Sequence, residues 1–323
     1  MCTAISINGS RHLFGRTLDL EFSYGENVVI TPQNFVFKFK HLPPISTHPA
    51  LVGTAHIADG FPLYYDAMNG SGLCAAALNF PDHAIYGEPQ SDAVNLAAFE
   101  VIPYILSVCN TLAEARTLLK DVNVTRDAFS KKLPTTPLHW IFADESGAIA
   151  VEPLGEGLRI FENPFGVLTN SPPFDYHVTR LADFLALDSA PPQNTVFPEA
   201  DLRPYSRGMG AMGLPGDFSS ASRFVRAAFV KAHTKLTDSE SEISRFFHVI
   251  GSVSQPNGCA LTENSTPIRT VYTSCADFRD KTYYFTTYNC RRIRAVRMDN
   301  ENTSNSCLSV FSMDSKEDIL YLK

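Results

Sequence analysis

No stretch of this sequence approaches the roughly 20 consecutive apolar residues that cross a bilayer. Its start, Met1-Cys2-Thr3-Ala4-Ile5-Ser6-Ile7-Asn8, has no basic region leading into a long apolar core. That excludes a Sec-type signal peptide, makes the cytoplasm the expected compartment and argues against a membrane partner. Basic runs are missing too: none is longer than a pair such as Arg291-Arg292, and the net charge is −7. Nucleic acid is therefore not an expected partner. The seven cysteines, at 2, 74, 109, 259, 275, 290 and 307, form no C-x-x-C pair, so neither a zinc ribbon nor a thioredoxin-type motif is supported. Most should be free and buried as small hydrophobes. The nine histidines lack metal-ligand spacing and include no His-Glu-x-x-His. Gly208–Gly216 is glycine-rich but lacks the Lys-Ser/Thr of a phosphate loop. No metal, nucleotide or other cofactor is implied.

What the sequence does hold is ordinary globular material, 44% hydrophobic and 19% charged, with no evident linker over 323 residues. One domain spanning 2–323 is expected. The first third reads as strands: Cys2–Ile7, Leu13–Leu18, Phe35–Phe39, Leu51–Ile57, Leu63–Met68 and Leu73–Leu78. Asn8-Gly9, Asp59-Gly60 and Asn69-Gly70 supply hairpin turns between them. Ala97–Val108 is apolar nearly all round, a buried helix that Pro103 should kink. Thr111-Leu-Ala-Glu114 and Thr237-Asp-Ser-Glu240 read as capping boxes opening helices. Leu138–Ala143, Ala148–Glu152 and Leu158–Glu162 read as strands, Phe174–Leu185 and Ser219–His233 as helices. The chain ends in strands at Thr270–Ser274, Thr282–Tyr288 and Arg292–Met298. Strands and helices in alternating blocks, joined mostly by hairpins, indicate a layered α+β fold in which helices cover two antiparallel sheets. Long loops at 41–49, 81–94, 126–137 and 187–217 are candidates for function.

Chemistry begins at Met1-Cys2-Thr3. Removal of an initiator Met ahead of a small residue leaves Cys2 first, with a thiol and an α-amine on one residue. The amine titrates at about 7.7–8.0 and a thiol at about 8.5, so one residue can supply nucleophile and general base. A cysteine in second position is, on its own, more often incidental. Phe14-Gly-Arg-Thr-Leu-Asp19 then places Arg16 and Asp19 on the strand pairing with Cys2. A guanidinium near the thiol favours the thiolate, and a carboxylate can orient the amine or sulfur.

Over essentially its full length the chain resembles the choloylglycine hydrolase family, which contains bile salt hydrolases and penicillin V acylases. The resemblance rests on Met-Cys-Thr, Phe14-Gly-Arg-Thr-Leu-Asp19, Pro62-Leu-Tyr-Tyr-Asp66 and Leu78-Asn-Phe-Pro81. It continues through Leu138-His-Trp-Ile141, Gly166-Val-Leu-Thr-Asn-Ser-Pro172, Leu214-Pro-Gly-Asp217 and Ser222-Arg-Phe-Val-Arg226. It implies a four-layer αββα N-terminal-nucleophile hydrolase fold, two antiparallel sheets between helices, and a homotetramer. It also implies Cys2 as nucleophile, Arg16 and Asp19 as its charged partners, Asn79 and Asn170 as oxyanion-hole residues, and Arg223 as a further active-site arginine. Each asparagine precedes a turn, where Asn is common for structural reasons alone. As an oxyanion donor, one such amide is worth about 3–4 kcal/mol. Arg223 stands near the first turn of a helix, where a cation opposes the dipole, so structure alone does not ask for it.

Bile salt hydrolases carry Asn at the position of Asn79, where penicillin V acylases often carry Tyr. The expected substrates are therefore glycine- and taurine-conjugated bile salts. Leu18, Tyr24, Phe61, Phe129 and Leu133 fall where the family lines an apolar pocket, with the 126–137 loop as one wall; ordinary core packing is the competing reading for Leu18 and Phe61. The alternatives are a penicillin V acylase or other N-acyl amide hydrolase, and a non-catalytic steroid- or lipid-binding protein with a blocked N-terminus.

Overall fold

The computed structural model describes residues 1–155, 157–235, 237, 240–299, 303–313 and 316–322. The N-terminal half holds β1 (Cys2–Asn8), β2 (His12–Leu20), β3 (Asn27–Thr31), β4 (Leu51–Ala58), β5 (Phe61–Asn69), β6 (Cys74–Asn79) and β7 (Val94–Ala97), then α1 (Val101–Val108) and α2 (Leu112–Leu118). The middle holds β8 (Val122–Thr125), β9 (Leu138–Asp144), β10 (Gly147–Leu154), β11 (Gly157–Glu162) and β12 (Val167–Leu168), then α3 (Phe174–Leu181), α4 (Ser220–His233) and α5 (Glu242–Gly251). The chain closes with β13 (Ala260–Leu261), β14 (Pro267–Asp277), β15 (Thr282–Thr287), β16 (Arg294–Arg297) and β17 (Ser309–Ser312).

These strands form two large antiparallel sheets. The first runs β12-β1-β2-β14-β15-β16, with β13 beside β14; the second runs β11-β10-β9-β6-β5-β4-β3-β17. Local turn chemistry explains the hairpins. Asp59 and Gly60 have φ of 48° and 77°, the left-handed pair that a two-residue turn needs to match strand twist.

Period-two alternation explains the layers. In β6, Cys74, Ala76 and Leu78 pack toward the first sheet, while Ala75 and Ala77 pack into a second core with Val101, Ile105 and Leu112 of α1 and α2. In β9, Ile141 and Ala143 face the first core, and Trp140 and Phe142 the second. Both faces of these central strands are buried, so their residues are mostly apolar. Phe224 and Ala227 of α4, with Phe246, Val249 and Ile250 of α5, cover the outer face of the first sheet. The order is helix, sheet, sheet, helix, the four-layer αββα arrangement expected. Among the described residues no helix is long and apolar enough to cross a membrane.

Several elements depart from the sequence reading. Phe35–Phe39 is not a strand: only Phe37 makes a bridge, to Ile45. The alternation reported burial correctly, since Phe37 and Phe39 are buried, but the backbone pairing goes no further than that single bridge. Pro103 does not kink a long helix. A short 3-10 turn (Ala98–Glu100) precedes α1, which puts Pro103 in its first turn, where a missing N–H costs nothing. Thr111 caps α2 as expected, accepting from Glu114 N at 3.2 Å. At the other predicted capping box, Asp238 and Ser239 lie outside the described residues, and the cap of α5 is Ser241, which accepts from Ser244 N. The predicted Phe174–Leu185 helix divides into α3 and a 3-10 turn at Ala182–Phe184. All seven cysteines are free; Cys259 and Cys307 are exposed and the rest buried.

Candidate active site

Cys2 opens β1, and its register places it opposite Leu18 of β2, with Ala4 opposite Arg16. Paired residues of an antiparallel ladder share a face, as do residues two apart. Cys2, Leu18 and Arg16 thus project to the same side, toward the second sheet. The Arg16 side chain is buried there, donating to the carbonyl oxygens of Thr17 (3.2 Å) and Tyr65 (3.1 Å) and of Ala77. Its Nη2 makes no hydrogen bond among the described residues. Burial by itself would lower the Arg16 pKa; the opposing pull of Cys2, Tyr272, Asp66 and Asp19 holds it above its ordinary value. A buried cation is therefore fixed on the same face of the sheet as the Cys2 side chain.

Asp19, three residues on from Arg16, faces the other side of β2. Its carboxylate accepts from Thr270 Oγ1 at 2.6 Å, Thr17 Oγ1 at 3.1 Å and Gln255 Nε2 at 3.2 Å. Its backbone pairs with Met1: the terminal ammonium donates to Asp19 O at 2.6 Å, and Asp19 N donates to Met1 O at 2.9 Å. With Met1 in place, the Cys2 nitrogen is a peptide N–H.

Asn170 gathers the rest. Its Oδ1 accepts from Cys2 N at 2.8 Å and from Arg223 Nη2 at 2.7 Å, while its Nδ2 donates to Asn79 O at 2.7 Å. The Asn170 backbone is held as tightly, its N–H donating to Ser220 Oγ and its carbonyl accepting from His177 Nε2, both at 2.8 Å. Asn79 ends β6, and its own side-chain amide makes no hydrogen bond among the described residues. Arg223 reaches from the first turn of α4 across the sheet edge, donating to Cys2 O (2.5 Å), Thr3 Oγ1 (2.7 Å) and Phe218 O (3.0 Å). Burial lowers its pKa, against the pull of Asp19 and Cys2.

The predicted apolar residues are less concentrated. Phe61 and Phe129 meet at 6.1 Å between ring centroids, and Phe99 closes the triangle at 5.8 and 5.2 Å. Leu133 turns the 126–137 loop through paired backbone bonds with Ser130. Leu18 is buried beside Cys2. Tyr24 is 48% exposed and packs on Phe22. A separate cavity of about 640 Å³ opens between α5 and the β14–β15 pair, and reaches Asp19 only through Gln255 and Thr270.

Three supports escaped the sequence reading. Thr270 and Gln255 lie 251 and 236 residues from the carboxylate they hold, so no spacing could reveal them. Asp66, inside the Pro62–Asp66 motif, is a buried acid between the sheets. It accepts from Tyr272 (2.6 Å), Tyr283 (2.5 Å) and Ser274 (3.0 Å). Burial raises its pKa, with Arg16 and these three donors opposing. Ser274 also accepts from Arg16 N at 3.1 Å, linking that cluster to the strand that carries Arg16.

The family model described as linear amide C-N hydrolases, choloylglycine hydrolase family, matches residues 2–321. The chain is 42% identical over 318 residues to a bile salt hydrolase/transferase of Lactiplantibacillus plantarum, covering 98% of both chains. It is 33% identical over 317 residues to the bile salt hydrolase/transferase of Clostridium perfringens, covering 96% of each. The solved C2A mutant of the conjugated bile acid hydrolase from Clostridium perfringens superposes with a TM-score of 0.94 at 32% identity, each chain covered completely. A penicillin V acylase from Agrobacterium tumefaciens shares the fold, with a TM-score of 0.74 at 22% identity over 96% and 90% of the two chains. A first-strand cysteine between two buried guanidiniums, with an asparagine amide bound to its nitrogen, is an arrangement suited to opening an amide, and together with these matches it makes the chain a member of the choloylglycine hydrolase family of linear amide C–N hydrolases.

Proposed function

We propose that this enzyme cleaves the amide bond of glycine- and taurine-conjugated bile salts through a thioester on Cys2, acting as a single catalytic domain of residues 2–323 once Met1 is removed. The observation that carries the mechanism is the bond from Cys2 N to Asn170 Oδ1 at 2.8 Å. When the peptide nitrogen becomes an amine, one N–H stays on Asn170 and the lone pair is free to take the thiol proton. The sulfur attacks the acyl carbon, and the oxyanion draws N–H donors from the Asn79–Asn170 pair. The C–N bond then breaks, the amino acid leaves with the proton held by the amine, and water attacks the thioester to release the bile acid and regenerate the thiol. Arg16 and Arg223 offset the negative charge at sulfur and oxygen, and Asp19 orients the N-terminal segment. Leu18, Tyr24, Phe61, Phe129 and Leu133 are assigned to the steroid face, where apolar burial contributes about 25 cal/mol per Å².

The substrate assignment draws on the relatives, which are named for bile salts and conjugated bile acids. The enzyme is assigned to the cytoplasm, where its free cysteines stay reduced, and to a homotetramer. Val196, Phe197, Leu202 and Tyr205 are more than half exposed on the 187–217 arm, and further copies of the chain would cover them.

The test is release of glycine and taurine from conjugated bile salts by protein shown by mass to lack Met1, with penicillin V in parallel and hydroxylamine to trap the thioester as a hydroxamate. Bile salt turnover with trapped hydroxamate and little penicillin cleavage is expected. Penicillin turnover alone would reject the pocket assignment; full activity in Cys2→Ser would reject the mechanism.

A further inference from the structure

Leu138-His-Trp-Ile141 plays no part in the chemistry described so far, yet His139 is completely buried and fully bonded. It lies on β9 with Ile141 and Ala143, on the face toward the first sheet. Its Nδ1 is 3.0 Å from Glu152 Oε1, and its Nε2 is 3.0 Å from Thr169 O. Neither side chain has any solvent exposure. Phe80 stacks on the imidazole at 4.2 Å between centroids and 5° between planes. Glu152 in turn accepts the N–H of Phe174, the first residue of α3, at 3.1 Å to each oxygen.

The neighbours of this one ring are the residues adjoining both asparagines. Phe80 follows Asn79, Thr169 precedes Asn170, and Leu138 pairs with Asn79 across the β6–β9 ladder. Thr169 O accepts only, so Nε2 carries a proton. A second proton is shared between Nδ1 and Oε1, and the pair is neutral overall whichever atom holds it. A neutral, fully bonded pair is tolerated in a site with no access to water, where a lone charge is not.

We propose that His139 and Glu152 are positioning residues: the dyad sets the spacing of Asn79 and Asn170 from each other and from Cys2, so that both amides meet the oxyanion of the scissile bond. The inference rests on the amide-hydrolase reading above. Stacking on Phe80 fixes one end of the ring, the bond to Thr169 fixes the other, and the Glu152–Phe174 bonds hold the dyad to α3. His177, on that same helix, then holds the carbonyl of Asn170 itself.

The experiment compares His139→Phe, His139→Gln, Glu152→Ala and Glu152→Gln with the wild-type enzyme lacking Met1. Phe keeps the stack but cannot donate to Thr169; Gln can. In Glu152→Gln the new amide can donate to Nδ1 of a neutral imidazole and still accept from Phe174. His139→Phe and Glu152→Ala should lower kcat by roughly 10- to 100-fold, as a displacement near 1 Å does, with KM and the rate of Cys2 alkylation by iodoacetamide little changed. His139→Gln and Glu152→Gln should recover most of that loss. Unchanged kcat in His139→Phe and Glu152→Ala would overturn the proposal. So would equal losses in Glu152→Gln and Glu152→Ala, or a fall in Cys2 alkylation that tracks the fall in kcat. Should His139→Phe fail to fold, the two Glu152 variants decide the matter alone. Wild-type enzyme without amide turnover would remove the hydrolase reading and this proposal with it.

Discussion

Arg223 and Cys2 are joined twice, directly through the Cys2 carbonyl oxygen at 2.5 Å and indirectly through Asn170 Oδ1, which accepts from both the Cys2 nitrogen and Arg223 Nη2. A helix residue 221 positions away thus grips the backbone on both sides of the nucleophile. The fork of the guanidinium makes this possible, since one planar group reaches four acceptors at once, Cys2 O, Thr3 Oγ1, Asn170 Oδ1 and Phe218 O.

Arg223→Lys keeps the charge and loses the fork. An ammonium on a flexible stem cannot serve Cys2 O, Thr3 Oγ1, Asn170 Oδ1 and Phe218 O together, and at least one of these buried bonds is lost. A loss of about 1–3 kcal/mol in stability is expected. A fall of roughly 100-fold in kcat/KM should accompany it. Chemical denaturation and steady-state kinetics on one preparation would check both.

Asn170→Ala removes the acceptor for the Cys2 nitrogen and the Nδ2 donor together. Turnover should fall by at least about 10²- to 10³-fold, the cost of one oxyanion donor. Arg16 keeps its place on the face it shares with Cys2, so Cys2 should remain open to alkylation. Finding kcat within a few-fold of wild type would remove Asn170 from the transition state.

Asp66→Ala strips the acceptor from Tyr272, Tyr283 and Ser274 and takes a negative charge from the neighbourhood of Arg16. Breaking a buried charged cluster by removing one member costs roughly 3–5 kcal/mol. A clear drop in melting temperature is expected. The double variant Tyr272→Phe with Asp66→Ala should lose less than the sum of the two single changes, because each single change breaks the same bond.

His12 supplies a pH test. Burial lowers its pKa to about 4, and Nε2 is 3.0 Å from Ser6 Oγ. Above the unfolded value, near 6.5, both states are neutral and His12 adds no pH dependence. As pH falls from about 6.5 to about 4, only the unfolded chain takes up this proton, and native stability declines. The shift corresponds to about 3 kcal/mol at full extent. Replacing His12 with Gln should flatten that portion of the curve when wild type and variant are compared by urea denaturation at about pH 7 and about pH 4.5.

Legibility in the sequence follows distance along the chain. The β1–β2 hairpin is readable because Asn8-Gly9 marks its turn, and hairpin register then sets Cys2 near Arg16. The same parity rule places Arg16 and Asp19 on opposite faces, although their closeness in sequence invites treating them as one pair. Asn79 and Asn170 are reached only by resemblance, since each alone reads as turn chemistry; Arg223 stands out as a cation in a first helical turn, but its place in the site comes from the resemblance as well. Nothing local marks His139, Glu152, Gln255 or Thr270, whose partners come from other strands.

Turn chemistry and period-two patterning act over a few residues. They are enough to set the α+β class, the hairpin that carries the nucleophile, the alternation that buries both faces of the central strands, and the residue types available for amide cleavage. Packing alone established that Asn170 lies between Cys2 and Arg223, that Asp19 is held from the α5 side by Gln255 and Thr270, and that a buried His139–Glu152 pair stands behind both asparagines. Such contacts form when two sheets and their covering helices pack and exclude water. Buried polar groups must then find partners wherever the fold brings donors and acceptors together, at separations the local sequence does not encode.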